Sequence, residues 1–283
     1  MSEFRPSYLE IDEQELVNFL LNAAGQTTRD SVNPKDLLDY LKLDYIQVDF
    51  ERELSGIERG AILQPPRALI SFNDKLIATE KSLDTVRMRF SVLHEIGHYV
   101  LPKHQNSLYI CDRRAMGFNT QMVFEQEANQ FAANLLFLAG RFDLEANSNP
   151  ISPATVKKLG GQFEASFEAT ARRIANKTYR DCMFVSFAKD TSAAINSDAA
   201  VQWRLRYCIP SPSFSHKYFS SLRAAIVPPE IARRVCAFQD IAQSAKEEIE
   251  ISVPSFEKPQ SFVAEYFYNT FNIFCFITPT SSA

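Results

Sequence analysis

Glycine is scarce in this chain, at 8 of 283 residues. No GxGxxG and no GxxxxGK run occurs, which excludes the Gly-rich loops that cradle nucleotide phosphates on backbone N–H groups. Cysteine is also sparse and badly spaced for framework chemistry. Cys111, Cys182, Cys208, Cys236 and Cys275 lie far apart with no CxxC pair, an odd set that fits free thiols in a reducing compartment better than disulfides or a thiolate zinc site. No apolar run approaches the ~20 residues that span a bilayer; a stretch such as AANLLFLA at 132–139 is short and interrupted by Asn134. The opening segment, MSEFRPSYLEIDEQ, is acidic where a signal peptide would be basic, so a cytoplasmic protein with no membrane partner is expected. An excess of positive charge is missing too: the formal net charge is -4, which gives no sign of a nucleic-acid-coating protein.

What is present suits a folded core. Apolar residues make up 46% and charged residues 23%, which excludes a mainly disordered chain, and 23 phenylalanines make that core aromatic-rich. The length is near the limit for one core, so two compact units are expected. Residues 12–24 place Leu16, Phe19, Leu20 and Ala23 on one helical face. A second helix starts at Asn33-Pro34, where Asn caps and Pro suits the first helical position, with Leu37, Leu38 and Leu41 facing the core. Strand-like runs at Tyr45–Phe50, Ala61–Leu63 and Arg67–Phe72 form a small sheet. Helical patterns return at about Ser82–Leu101 and Thr120–Leu138, separated by the polar segment Lys103–Asn119. The turn cluster Asn147-Ser-Asn-Pro150 marks a boundary. Two short helices follow, capped by Ser152 and Ser166 and joined near Glu164. From Cys182 the texture changes to strands, in CMFVSF, QWRLRYCI and FNIFCFI, with helical character expected near Glu230–Val235 and Gln243–Ile249. The fold class is therefore α+β, with a C-terminal α/β domain.

The informative motif is His94-Glu95-Ile96-Gly97-His98. Helix positions four apart share a face, so both imidazoles reach one ion while Glu95 sits on the adjacent edge, placed for a water rather than the metal. Gly97 lets a neighbouring element approach closely. A carboxylate from a second helix completes a His/His/Glu set, and Glu125-Gln126-Glu127-Ala128-Asn129 supplies two. Glu125 is favoured because it shares a face with Ala128, Asn129 and Ala132 when Phe124, Phe131 and Leu135 are buried, although helix phase alone leaves Glu127 open. Tyr99, His104, Tyr109 and Arg113 are candidates to stabilise an oxyanion, His104 reading otherwise as a wet loop residue after Pro102. Residues 155–180 carry Lys157, Lys158, Arg172, Arg173, Lys177 and Arg180 against Glu164 and Glu168, either a DNA-facing helix pair or, the favoured reading, a solvated face.

HEIGHYVL followed by EQEANQFAANLLF resembles the ImmA/IrrE metallopeptidases, whose pattern is an Arg/Phe lead-in, HE-x-G-H, and then E-x-E-A-N-x-F-A-A-x-L-L with Met-Pro. Arg87, Arg89 and Phe90 supply the lead-in, while Phe137-Leu138 stands where Met-Pro is common. The resemblance implies a Zn2+ site of His94, His98 and Glu125, with Glu95 as the general base. It also implies a zincin-like peptidase domain over 1–150, a helix-turn-helix-like segment over 151–180, and a GAF-like, sensory C-terminal domain over 181–283. The implied activity is site-specific cleavage of a helix-turn-helix transcriptional repressor, derepressing stress or mobile-element genes. The alternative is a DNA-binding or toxin–antitoxin-type regulator with a non-catalytic zincin domain.

Overall fold

The computed structural model describes residues 12–53, 66–104, 118–189, 203–218, 234–235, 244–251 and 256–280. The chain is mixed α+β and divides into two compact units, Met1–Phe142 with Gln162–Glu164, and Asp143–Gly161 with Ala165–Ala283.

In the first unit, α1 (Glu13–Ala23) is capped by Asp12, whose side chain accepts from the Gln14 N–H. Its buried stripe is Leu16, Val17, Leu20 and Leu21. Phe19 instead remains 47% exposed and Ala23 lies at the surface, so the buried face is rotated from the expected one. Helix α2 (Pro34–Leu41) starts as the sequence indicates: Asn33 Oδ1 accepts from Lys35 N at 3.1 Å, and Leu37, Leu38 and Leu41 are buried. It stops where Lys42 turns left-handed, at φ 55.

Strand β1 (Asp44–Val48) is shorter than the expected run, because Asp49 accepts from Arg52 N at 3.0 Å and opens the short helix α3 (Phe50–Glu53). Strands β2 (Ala68–Ser71) and β3 (Leu76–Glu80) form an antiparallel hairpin, and β1 runs parallel to β3, giving the order β1-β3-β2. The expected strand at Ala61–Leu63 lies outside the described residues.

Helix α4 (Thr85–Val100) is capped by Asp84, whose carboxylate accepts from Arg87 N at 2.9 Å. Val92, Leu93, Ile96, Gly97 and Val100 bury its back. Arg89 is buried with them. Its Nη2 donates to Val32 O at 2.6 Å and its Nη1 pairs with Glu164 at 2.7 Å. Helix α5 (Phe118–Leu136) packs on α4 with Ala128, Phe131, Ala132 and Leu135 fully buried. It ends in two left-handed residues, Leu138 and Ala139, with Ala139 N–H closing onto Asn134 O at 2.8 Å. Phe137, Phe142 and Phe163 form a ring cluster behind it, with centroids as close as 4.5 Å.

The second unit holds most of α6 (Arg141–Asn147) and α7 (Pro153–Gln162), together with α8 (Phe167–Lys177) and a five-stranded antiparallel sheet. Ser152 Oγ accepts from Thr155 N at 3.2 Å and Ser166 Oγ from Ala169 N at 3.1 Å, the two caps the sequence indicates. The strands are β4 (Met183–Lys189), β5 (Trp203–Pro210), β6 (Ser244–Ile251), β7 (Gln260–Tyr268) and β8 (Asn272–Pro279), in the order β5-β4-β8-β7-β6. One face carries Phe184, Phe274 and Phe276, with Phe167 of α8 4.5 Å from Phe267 and 5.0 Å from Phe274. The opposite face carries Met183, Val185, Ile249, Phe262, Cys275 and Ile277, and Phe214 of α9 (Pro212–Tyr218) packs on it.

The helical expectation at Gln243–Ile249 is corrected over its described residues: Ser244–Ile249 lie in β6, paired antiparallel with β7. Its Lys and Glu residues favour helix only weakly, whereas Ile249 and Ile251 alternate with exposed residues at the strand period and are buried by the sheet. Of the expected helix near Glu230–Val235, only the last two residues are described, and they are helical.

Candidate metal centre

Helix α4 presents His94 and His98 one turn apart, and α5 presents Glu125 toward them. His94 Nε2 lies 3.1 Å from His98 Nε2 and 3.2 Å from Glu125 Oε2, and His98 Nε2 lies 3.6 Å from Glu125 Oε1. One ligand atom from each of the three residues falls within 4.8 Å of the others. Two neutral imidazoles and a carboxylate, without thiolate, are the donor set of a catalytic zinc site that keeps a position open. The histidines are largely buried, at 14% and 12% side-chain exposure, and Glu125 is half-exposed at 50%, so the cluster is reached from one side.

The electrostatics suit a cation. The contacts of Glu125 with His94 and His98 hold its carboxyl far below the usual carboxylate range. Burial disfavours protonated His94, but the hydrogen bond with Glu125 and the charges of Glu95 and Glu125 outweigh it and raise its pKa. Three polar groups gathered this tightly, with the acidity of His94 and Glu125 displaced, make this a candidate functional site.

Close approach of the two helices makes this geometry. A Cβ built on Gly97 would lie 3.3 Å from Ala128 O and 3.4 Å from Ala128 Cα, so the absent side chain lets α5 lie against the motif. Glu95 is 6% exposed and lines a cavity of about 750 Å³ together with His94, His98, Glu125 and Phe90. All of β2 and the residues flanking it, from Pro66 to Phe72, border the same cavity, and β2 is paired only to β3 among the described residues.

The other sequence candidates separate. Glu127 stands apart from the cluster and accepts from His104 Nε2 at 3.0 Å. Asn129 Oδ1 lies 3.1 Å from His94 Nδ1, so it accepts from that ring and leaves Nε2 toward the cluster. His104 is no wet loop residue: it is 1% exposed, its ring lies 4.7 Å from that of Phe124, and its Nδ1 is 2.9 Å from His98 Nδ1. Burial lowers its pKa. The only sequence hint of this role was a histidine shortly beyond the helix end. Tyr99 stacks on Phe72 with centroids 6.0 Å apart, and Tyr109 and Arg113 lie outside the described residues.

The basic segment is largely committed within the second unit. Arg173 makes two bonds to Asp143, at 2.8 and 3.0 Å, and Arg180 donates to Asn147 O. Arg172 lies 4.8 Å over the Tyr207 ring, Lys157 lies 4.1 Å over Phe267, and Lys158 donates to Asn149 at 3.3 Å.

This arrangement has known relatives. Residues 60–175 match the family model described as IrrE N-terminal-like domain (Peptidase_M78). The matched stretch spans β2, β3 and the helices α4 to α7 with nearly all of α8, and therefore the three clustered residues and Glu95. The family's name places the chain beside metallopeptidases and fits the ImmA/IrrE resemblance of the motifs. No curated protein matches the chain. Among solved structures, a Mycobacterium tuberculosis transcriptional regulator is similar in fold, with a TM-score of 0.58 and 11% identity, covering 95% of this chain and 76% of that one. The likeness extends beyond the matched residues 60–175, over 95% of the chain. No described helix is long and apolar enough to cross a membrane.

Proposed function

We propose that the protein is a zinc-dependent endopeptidase that cuts a helix-turn-helix transcriptional repressor. The observation that carries this reading is the convergence of His94, His98 and Glu125 beside buried Glu95 in one groove. His94 and His98 would hold the ion through Nε2 and Glu125 through its carboxylate. Bound there, Zn2+ supplies Lewis acidity that acidifies water and polarises a carbonyl. Glu95 accepts the proton of the attacking water on its carboxylate and returns it to the departing amide nitrogen. The edge of β2 that has no partner among the described residues offers backbone N–H and C=O groups along the cavity, where an extended peptide would pair as an added strand across the site. The repressor as substrate is supported by the family and by the regulator whose fold the chain shares. On this reading residues 1–150 are the zincin-like peptidase, 151–180 the helical link, and 181–283 a sensory, GAF-like domain that sets when cleavage occurs.

The test is Glu95→Gln in the full chain, assayed on a helix-turn-helix repressor encoded beside its gene. Zinc content should be unchanged while repressor cleavage falls by about 10²-fold or more, the usual worth of a general base. Cleavage at the wild-type rate would remove Glu95 from the chemistry, and a stable uncut complex with wild-type protein would favour a purely regulatory role.

A further inference from the structure

His104 and Glu127 belong to none of the three converging ligands, yet they are joined to them. Beginning from the carboxylate, Glu127 Oε2 lies 3.0 Å from His104 Nε2, and His104 Nδ1 lies 2.9 Å from His98 Nδ1. The far nitrogen of His98, Nε2, is the one that faces His94 and Glu125. An ionised carboxylate only accepts, so Glu127 requires the proton of a neutral His104 to sit on Nε2. His104 Nδ1 then has only a lone pair to offer, and it accepts a proton from His98 Nδ1. His98 is left with its own lone pair on Nε2, the form in which an imidazole binds a metal ion. Each hydrogen bond permits one proton placement once the carboxylate end is fixed. The middle member is built for this: His104 is 1% exposed and packed on Phe124, so water competes poorly for its nitrogens. Helix α5 contributes both ends of the arrangement, since Glu127 is two residues from Glu125, and Asn129 serves His94 as the relay serves His98.

We propose that Glu127 and His104 form a two-residue relay that fixes the tautomer of His98, keeping its proton on Nδ1 and presenting Nε2 for metal binding before any metal arrives. Both are positioning residues, and the inference rests on the metal-site reading only in what the exposed Nε2 is for.

The test uses the full-length, metal-free chain labelled with 15N histidine, at mildly alkaline pH. Four histidines occur in the sequence, so long-range 1H–15N correlations resolve each ring and report which nitrogen carries the proton. His98 should be the Nδ1–H form and His104 the Nε2–H form. Glu127→Ala should convert His104 or His98 to the other tautomer or a mixture, whereas His104→Gln, whose amide can accept from His98 and donate to Glu127, should keep His98 as Nδ1–H. Competition against a chromophoric chelator should then show zinc held ten- to a hundredfold more weakly in Glu127→Ala and in His104→Phe, with His104→Gln recovering most of the loss. The Glu127→Ala/His104→Phe double variant should bind no more weakly than the weaker single variant, because one relay is broken either way. His98 as Nε2–H in the wild type, or an unchanged His98 tautomer in Glu127→Ala and His104→Phe alike, would overturn the relay. If the wild type shows the expected tautomers but takes up no zinc, the relay stands and the peptidase reading fails instead.

Discussion

Gly97 shows how much a single position decides. Its missing Cβ would meet backbone atoms of Ala128, at 3.3 and 3.4 Å, and the Phe131 ring at 3.4 Å. The helix backbone gives way less easily than the tip of a side chain. Gly97→Ala should therefore push α5 outward, destabilising the first unit by about 1–3 kcal/mol and separating Glu125 from the histidines. Urea unfolding checks the first effect and chelator competition the second; a variant as stable as wild type, with wild-type zinc affinity, would show that the helices have room to spare. The close approach was legible from HExxH and the small residues of the second helix. His104 was not, because its burial depends on where the chain goes after α4, and the sequence next to Pro102 looks polar. Among the described residues Cys182, Cys208 and Cys275 are thiols outside any disulfide, as their spacing suggested. Burial pushes Cys182 up to about 12 and Cys275 well above the normal thiol range, so neither is an activated nucleophile.

At the scale of elements, β6 tests which force specifies a segment. Residues 244–251 carry helix-favouring Lys and Glu, yet Ile249 and Ile251 are 4% and 2% exposed on one face of the sheet. Ile249→Ala should lower the stability of the second unit by about 2–5 kcal/mol through the cavity left behind. Glu248→Ala, on the exposed face, should change it by less than about 0.5 kcal/mol. A comparable effect of both substitutions, in urea unfolding followed by circular dichroism, would contradict the assignment of faces. Capped helices were the most readable elements: Asn33, Ser152 and Ser166 all accept the bonds their identities suggest. Strands β3 and β7 escaped notice because LIATE and QSFVAEYFY are short or mixed in pattern, and only pairing with β1, β2, β6 and β8 settles their state.

At the scale of the whole molecule, charge is used for internal ties. The pair of Arg206 with Glu168, at 2.8 Å, joins β5 to α8 within the second unit. Burial would raise the Glu168 pKa, but Arg206 and its neighbours outweigh it and hold the carboxyl below its ordinary value of 4.5. A depressed folded-state value means that this stabilisation is complete above the unfolded glutamate range and is lost as pH falls through the folded value. Arg206→Ala should thus be less stable than wild type at neutral pH, with the gap closing in acid; a gap that widened on acidification would reverse the assigned sign. The division into two units was foreseeable from length, and the His94, His98 and Glu125 cluster from one motif and one downstream helix.

The most direct measurement is zinc-edge X-ray absorption on the full chain loaded with one equivalent of Zn2+. The account expects a first shell of two imidazole nitrogens with light oxygen donors and no sulfur, collapsing in His98→Ala. Thiolate sulfur in that shell, or the spectrum of a fully hydrated ion, would contradict it.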